Sequence, residues 1–275
     1  MAGDRSIVVA EIEYLKPDPL YDEQQPYSIA SRPPLGIKRT NIMQVPVKTS
    51  IHNSRGKKAQ FSLNVNGFEW VDHPLNFDVN QDAQVNDYMN EMGTFLRQHL
   101  NAEKVIVYDY VIRHQREKNQ PRPEGVSRKV KKQILGAHID ISRESAISRI
   151  KLKCEDQAEE LLEKHWQIVN IWRPLNGPVK SMPLAVCDSR YLHEDDIVAS
   201  DIVLPHLQIQ AYEIWYNPNQ AWYFLDQQES TEVLLMLSAD SITSIRCAHS
   251  AFEDPKTKTD DPKRQSIELR CMVFY

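Results

Sequence analysis

His138 and Asp140 stand two positions apart in QILGAHIDI, a segment that reads as a β-strand. Residues i and i+2 of a strand project to one face, so imidazole and carboxylate point together and can reach one divalent metal ion. A third ligand from a distant strand would complete a 2-His-1-carboxylate set, the arrangement that leaves coordination positions open on Fe(II). His249, in SIRCAHSAF, follows another β-rich run and is the candidate. His193-Glu194-Asp195 repeats the pattern, but RYLHEDDI is acidic and reads as a loop, so His138 is preferred. Arg264-Gln265-Ser266 opens the final β-rich run, where a guanidinium and a hydroxyl again share a face. A planar fork of donors grips a carboxylate better than a lone ammonium does. Arg-x-Ser downstream of a metal-binding histidine is how many iron oxygenases hold the distal carboxylate of 2-oxoglutarate. The bland alternative pairs Arg264 with Glu253, Asp254, Asp260 or Asp261 at the surface.

Other chemistries find no support. GxGxxG, GxxxxGK[ST], GxSxG and HExxH are all absent, which lowers the expectation for those nucleotide, hydrolase and zincin classes. The 275 residues carry a formal charge of −5, so no global basic field points to nucleic acid. No run approaches the ~20 apolar residues a bilayer span needs, and no signal peptide is read at the N-terminus. Cys154, Cys187, Cys247 and Cys271 are far apart with no CxxC pair, which suggests reduced thiols and a cytoplasmic protein. Neither nucleic acid nor membrane is expected as a partner.

The elements that must position these groups are mostly β. Residues 6–14 read as a strand, and 17–58, rich in Pro, Lys, Arg and Ser, as an extended arm laid over a core. Residues 60–71 look like a hairpin turning on Asn66-Gly67. Val85, Tyr88, Met89, Met92, Phe95 and Leu96 recur at helical spacing, predicting a helix near 82–100, and 105–111 reads as a buried strand. Residues 113–132, with eight basic and two acidic side chains, read as a solvated loop, with a lid attracting an anionic ligand as the minority reading. Residues 133–141 read as a strand and 144–166 as the clearest helix. From 167 onward short β-rich runs recur between turn residues, the texture of a sandwich or barrel. Within that texture Arg173 is either a substrate contact or a structural ion pair, and Trp215 and Trp222 either line an apolar pocket or fill core. Glu213, on the strand with Trp215, is a polar contact in such a pocket. One domain over 1–275 is expected, with 1–58 as N-terminal strand and arm packed on the core.

AHID, then NIWRPLNGPVKSMPLAVCDSR, then HSAFEDP with PKRQSIELRCMVF, together with FSLNVNGFEWVDHP, resemble a group of fungal biosynthetic non-haem iron oxygenases. These are similar to the cephamycin methoxylase subunit or the gibberellin desaturase, and they include the novofumigatonin endoperoxygenase. The resemblance covers about residues 60 to 275. It implies a double-stranded β-helix (jelly-roll, cupin-like) core with flanking helices, and dependence on Fe(II), 2-oxoglutarate and O2. Carried over residue by residue, His138, Asp140 and His249 match the iron ligands, and Arg264 with Ser266 matches the cosubstrate clamp. It further implies oxidation of an unactivated carbon of a small natural-product intermediate, terpenoid or amino-acid-derived, by hydroxylation, desaturation, cyclisation or endoperoxidation. The pattern leads one to expect an acidic residue soon after GPV, where this chain has Lys180-Ser181. Two rival readings stay open: an iron oxygenase that ignores 2-oxoglutarate, and a jelly-roll binding protein without activity. A homodimer through the N-terminal arm is suggested by analogy.

Overall fold

The computed structural model describes residues 5–74, 82–115 and 130–275. Most of the basic run, residues 116–129, lies outside the described residues. Fifteen strands are assigned among those described: β1 (Ile7–Leu15), β2 (Tyr27–Ile29), β3 (Gln44–Asn53), β4 (Phe68–Asp72), β5 (Lys104–His114), β6 (Val130–Lys131), β7 (His138–Ile139), β8 (Trp166–Pro174), β9 (Leu184–Cys187), β10 (Ile197–Leu204), β11 (Leu207–Ile214), β12 (Trp222–Phe224), β13 (Glu232–Asp240), β14 (His249–Ala251) and β15 (Gln265–Phe274). They make two sheets, one ordered β1-β3-β12-β9-β14-β7-β11-β10-β2 and one ordered β4-β13-β8-β15-β5-β6. This is the jelly-roll core the sequence suggested.

Period-2 alternation decides what each sheet face does. In the six-stranded sheet, Ile112, Val169, Ile171, Val233, Leu235, Leu237, Ile267 and Leu269 point to the outer face. There α3 (Asp82–His99), the helix that follows α1 (Leu20–Glu23) and α2 (Leu63–Asn66) in the chain, covers them with Val85, Tyr88, Met92 and Leu96. Each such side chain taken from water contributes roughly 1.5–3 kcal/mol. The inner face presents Phe68, Trp70, Trp172, Leu234 and Met236, packed with Val186 of the opposite sheet. In the nine-stranded sheet, Ile51, Ile139, Ala185, Cys187, Ile214, Trp222 and Phe224 turn away from that interior and form a second apolar core with Val8, Ile12 and Tyr14 of β1. The N-terminal segment is thus more than an arm: Gln44–Asn53 is an internal strand between β1 and β12.

Three local expectations change. Asn66-Gly67 is no hairpin turn; it ends the short helix α2, with Gly67 at φ +80 in the left-handed position that glycine favours after a helix. The helical run 144–166 breaks into α4 (Arg143–Cys154) and α5 (Ala158–Glu163), because Glu155 takes φ +46 and Trp166 already opens β8. The β-rich 201–216 stretch folds back at Pro205-His206 into the β10–β11 hairpin.

Gly67 cannot be replaced cheaply, since a Cβ there would lie 2.9 Å from the Arg246 carbonyl oxygen. Gly67→Ala should lower unfolding free energy by more than ~1 kcal/mol in urea denaturation; an unchanged midpoint would contradict this account.

Candidate active site

β7 is two residues long, and its register builds the site. His138 faces His249 of β14 on one side and Glu213 of β11 on the other. His249 faces Val186 of β9, which faces Tyr223 of β12. Directly opposed residues share a sheet face. Tyr223, Val186, His249, His138 and Glu213 therefore form one lateral row across five strands, on the face that looks toward the six-stranded sheet. Asp140 follows β7 immediately. Its position is fixed from behind by α4, whose first turn is capped by Ser142 Oγ accepting from Ser145 N–H at 3.1 Å.

The two imidazole rings lie with centroids 4.3 Å apart. His138 Nδ1 is 2.8 Å from the Gly136 carbonyl and His249 Nδ1 is 3.3 Å from the Cys247 carbonyl. Carbonyls only accept, so both Nδ1 atoms donate, which in a neutral imidazole leaves Nε2 as the lone-pair nitrogen. His138 Nε2 is 3.7 Å from Asp140 Oδ1, and His249 Nε2 is 3.7 Å from Asp140 Oδ2. These separations exceed hydrogen-bond length. One donor atom from each residue falls within 4.8 Å of the others, a spacing that fits a shared ion. His138 Nε2 is buried with no hydrogen-bond partner, the condition a metal would relieve.

Asp140 is gripped from the opposite sheet: Asn170 Nδ2 donates to Oδ2, and Arg270 Nη2 lies 3.6 Å from Oδ1. Burial works against the charge of this carboxylate, but Arg270 and the two imidazoles outweigh it and hold it well below the usual carboxylate range. Burial, aided by His249, pushes His138 below its ordinary value. The set rests as an anionic carboxylate with a neutral His138, the protonation state a dication needs.

Arg264 and Ser266 are both buried. The Arg264 backbone N–H donates to Gln115 Oε1 at 3.1 Å and approaches Ser181 Oγ at 3.3 Å. Its Nη1 donates to the Met182 carbonyl, and its Cζ stands 5.3 Å from the centroid of the Trp172 ring. Arg264 Nε and Ser266 Oγ are buried without partners. Asp254 and Asp261 pair with Arg5 and Lys180 instead. Among the described residues no carboxylate forms an ion pair with Arg264. Burial, together with the neighbouring Arg113 charge, lowers its guanidinium to about 9 against the pull of Glu268. Donors left idle in this way fit an anion.

Two expected pocket residues lie elsewhere. Arg173 is on the outer face of β8, one position beyond inward Trp172. Its Nε donates to Tyr88 Oη at 3.0 Å, Nη1 to the Ser230 carbonyl at 2.6 Å and Nη2 to the His73 carbonyl at 2.8 Å. It fastens α3 to the sheet and does not line the site. Trp222 is fully buried in the second core, edge-on to Tyr14 with centroids 6.2 Å apart. Strand alternation gives the inward place to Tyr223. Glu213 does stand beside His138, with Oε2 buried and unpartnered, and burial raises its carboxyl. Trp215, two positions on, has its Nε1 buried and unpartnered as well. Sequence reading missed Asn170, Arg270 and Arg113. A signal existed: polar Ser266, Glu268 and Arg270 alternate through an otherwise apolar last strand. Lys180-Ser181, where an acid was expected, serves structurally: Ser181 Oγ donates to Gln115 Oε1 at 2.6 Å beside the Arg264 backbone.

A jelly roll with a His-x-Asp and distant His cluster between its sheets, followed by a buried Arg-x-Ser, defines the non-haem iron oxygenase class. Residues 12–274 match the family model described as YDMC, oxidoreductase/YMDC permease-like domain. Among the described residues no helix is long and apolar enough to cross a membrane. The hydroxylase/desaturase CTB9 of Cercospora beticola is 30% identical over 251 residues, 82% of this chain and 75% of that one. The Fe(II)/2-oxoglutarate-dependent dioxygenase nvfI of Aspergillus novofumigatus is 26% identical over 100% of this chain and 99% of its own length. The solved structure of the iron and alpha-ketoglutarate-dependent endoperoxidase NvfI superposes with a TM-score of 0.87, covering 98% of this chain and 99% of that chain at 26% identity. The chain belongs to this family of fungal Fe(II)/2-oxoglutarate-dependent oxygenases.

Arg173→Met should cost about 1–3 kcal/mol of folding stability for each acceptor left buried and unpaired, while metal affinity stays unchanged; a large loss of metal affinity in a folded variant would return Arg173 to the site. A second outcome concerns acid. In metal-free protein His138 titrates below the value of about 6.5 it has when unfolded, so the unfolded chain takes up the proton first. Stability should therefore fall as pH drops through about 6.5 and level off below the folded value, and His138→Asn should flatten that slope. Equal slopes in both proteins would refute the assignment.

Proposed function

We propose that His138, Asp140 and His249 hold Fe(II) and that Arg264 with Ser266 holds the distal carboxylate of 2-oxoglutarate, so that the chain oxidises an unactivated carbon of a small natural-product intermediate. The observation that carries this reading is the convergence of three donor atoms from β7, its exit and β14, facing a buried cation that has no carboxylate of its own among the described residues. Bound together, metal, 2-oxoglutarate and O2 would supply the oxidising chemistry, with 2-oxoglutarate split to succinate and carbon dioxide. The protein's part is positional. Backbone carbonyls lock both imidazoles in the Nδ1–H form, and Asn170 and Arg270 fix the plane of Asp140. Outer partners of this kind orient ligands and tune their basicity. Val186, Tyr223, Phe68, Leu234 and Met236 offer an apolar wall that excludes water. Glu213 and Trp215 add an acceptor and a donor for polar groups of the substrate.

The activities of the relatives, endoperoxidase and hydroxylase/desaturase, support hydroxylation, desaturation, cyclisation or endoperoxidation as the outcome. The reading includes one oxygenase domain over 1–275, with the N-terminal strands β1 and β3 part of its nine-stranded sheet. Its cytoplasmic location is supported by four free, buried cysteines. Self-association through the N-terminal edge is supported by Ile7 and Val9, half exposed on β1 at 50% and 56%.

His138→Ala and Asp140→Ala should each abolish iron retention and turnover, measured by metal analysis and succinate release; wild-type iron content in either would refute the ligand set. Succinate released in step with oxidised product separates this reading from an iron oxygenase that ignores 2-oxoglutarate. Absence of stoichiometric iron would favour a binding protein.

A further inference from the structure

Resting on the cosubstrate reading above, we propose that Arg113 is a second guanidinium of the 2-oxoglutarate pocket, and that the pair Arg113–Arg264 makes the enzyme select a 2-oxo acid with a distal carboxylate. Arg113 belongs to β5 and stands directly opposite Ser266 of β15. Opposed residues share a face, so Arg113 points inward with Ser266, Glu268 and Arg270, while Ile112 and Ile267 point out to α3. It is buried, at 7% exposure. Among the described residues its side chain donates from Nη1 to the Lys132 carbonyl at 3.0 Å. Among the described residues it forms no ion pair with a carboxylate.

Its charge is felt at two places. It opposes the charge on Arg264, and it favours the charge on Asp140. Arg113 therefore lies within electrostatic reach of both the clamp and the metal cluster. Among the described residues three arginines stand on this inner wall, Arg113 and Arg264 buried and Arg270 partly exposed. Arg270 is answered by Asp140 and by Glu268, whose Oε1 is 3.3 Å away. Among the described residues Arg113 and Arg264 have no such carboxylate, and Ser266 Oγ, on β15 two positions after Arg264 and opposite Arg113, has no partner. Two like charges on this wall, one of them with its Nε idle, repel one another unless an anion enters. A carboxylate accepts from two guanidiniums readily, having about four lone-pair sites. A 2-oxo monoacid would leave that end of the pocket uncompensated.

The test compares two probes on the anaerobic Fe(II) protein, 2-oxoglutarate and 2-oxopentanoate, which has the same chain without the distal carboxylate. Binding is read from the visible charge-transfer absorbance, without turnover. Loss of one charge-assisted contact predicts that Arg113→Met weakens 2-oxoglutarate about tenfold to a hundredfold while leaving 2-oxopentanoate nearly unaffected. Arg113→Lys, which keeps the charge and loses the fork, should fall between the two and covers the case where the methionine variant does not fold. An unchanged ratio of the two affinities in a folded Arg113 variant, with Arg264→Met lowering it, overturns the role of Arg113 alone. An unchanged ratio in both variants overturns the clamp itself.

Discussion

Everything at this site depends on the register of β7 against its two neighbours. A slip of one residue in either pairing would send the His138 imidazole to the apolar face that now holds Ile139. With only two residues in the strand, the pairing itself is weak, and other devices hold it. The Gly136 carbonyl accepts a hydrogen bond from His138 Nδ1, the capped start of α4 anchors the exit, and Ile139 is buried in the second core. The site is thus positioned by packing behind it as much as by hydrogen bonds beside it.

Charge gives the interior its second organising rule. Asp140 is an anion in the field of Arg270, two imidazoles and Arg113, and Arg264 is a cation with no carboxylate ion pair among the described residues. Such an arrangement costs stability in an isolated chain, and it is the kind of cost that functional sites carry. Metal and dicarboxylate together would offset it, so ligand binding and folding stability are coupled in this protein.

Much of this was legible from letters alone. His138, Asp140, His249, Arg264 and Ser266 could be singled out because period-2 alternation puts i and i+2 on one face whatever the tertiary fold. The helix at 82–99 was legible because its apolar stripe repeats without interruption. What failed was parity. Arg173 lies in a run buried on both faces and Trp222 in an aromatic run of three residues, where hydrophobicity does not say which side is inward. Their immediate neighbours Trp172 and Tyr223 take the inner places. Asn66-Gly67 misled because the same dipeptide serves a tight hairpin and a helix end, and the choice is made by Asn66 Nδ2 donating to Asp188 at 2.8 Å, far along the chain. Asn170 and Arg270 escaped because their partner, Asp140, belongs to the other sheet.

The four thiols have a bearing on durability. Cys187 and Cys271 lie deep in strands and Cys247 is buried just before β14, and burial raises all three well above the ordinary thiol value. Thiolate is the form that attacks peroxides and chelates stray metal. An oxygen-handling catalyst that keeps its sulfur protonated and dry beside the reaction chamber is spared one common route of self-inflicted damage.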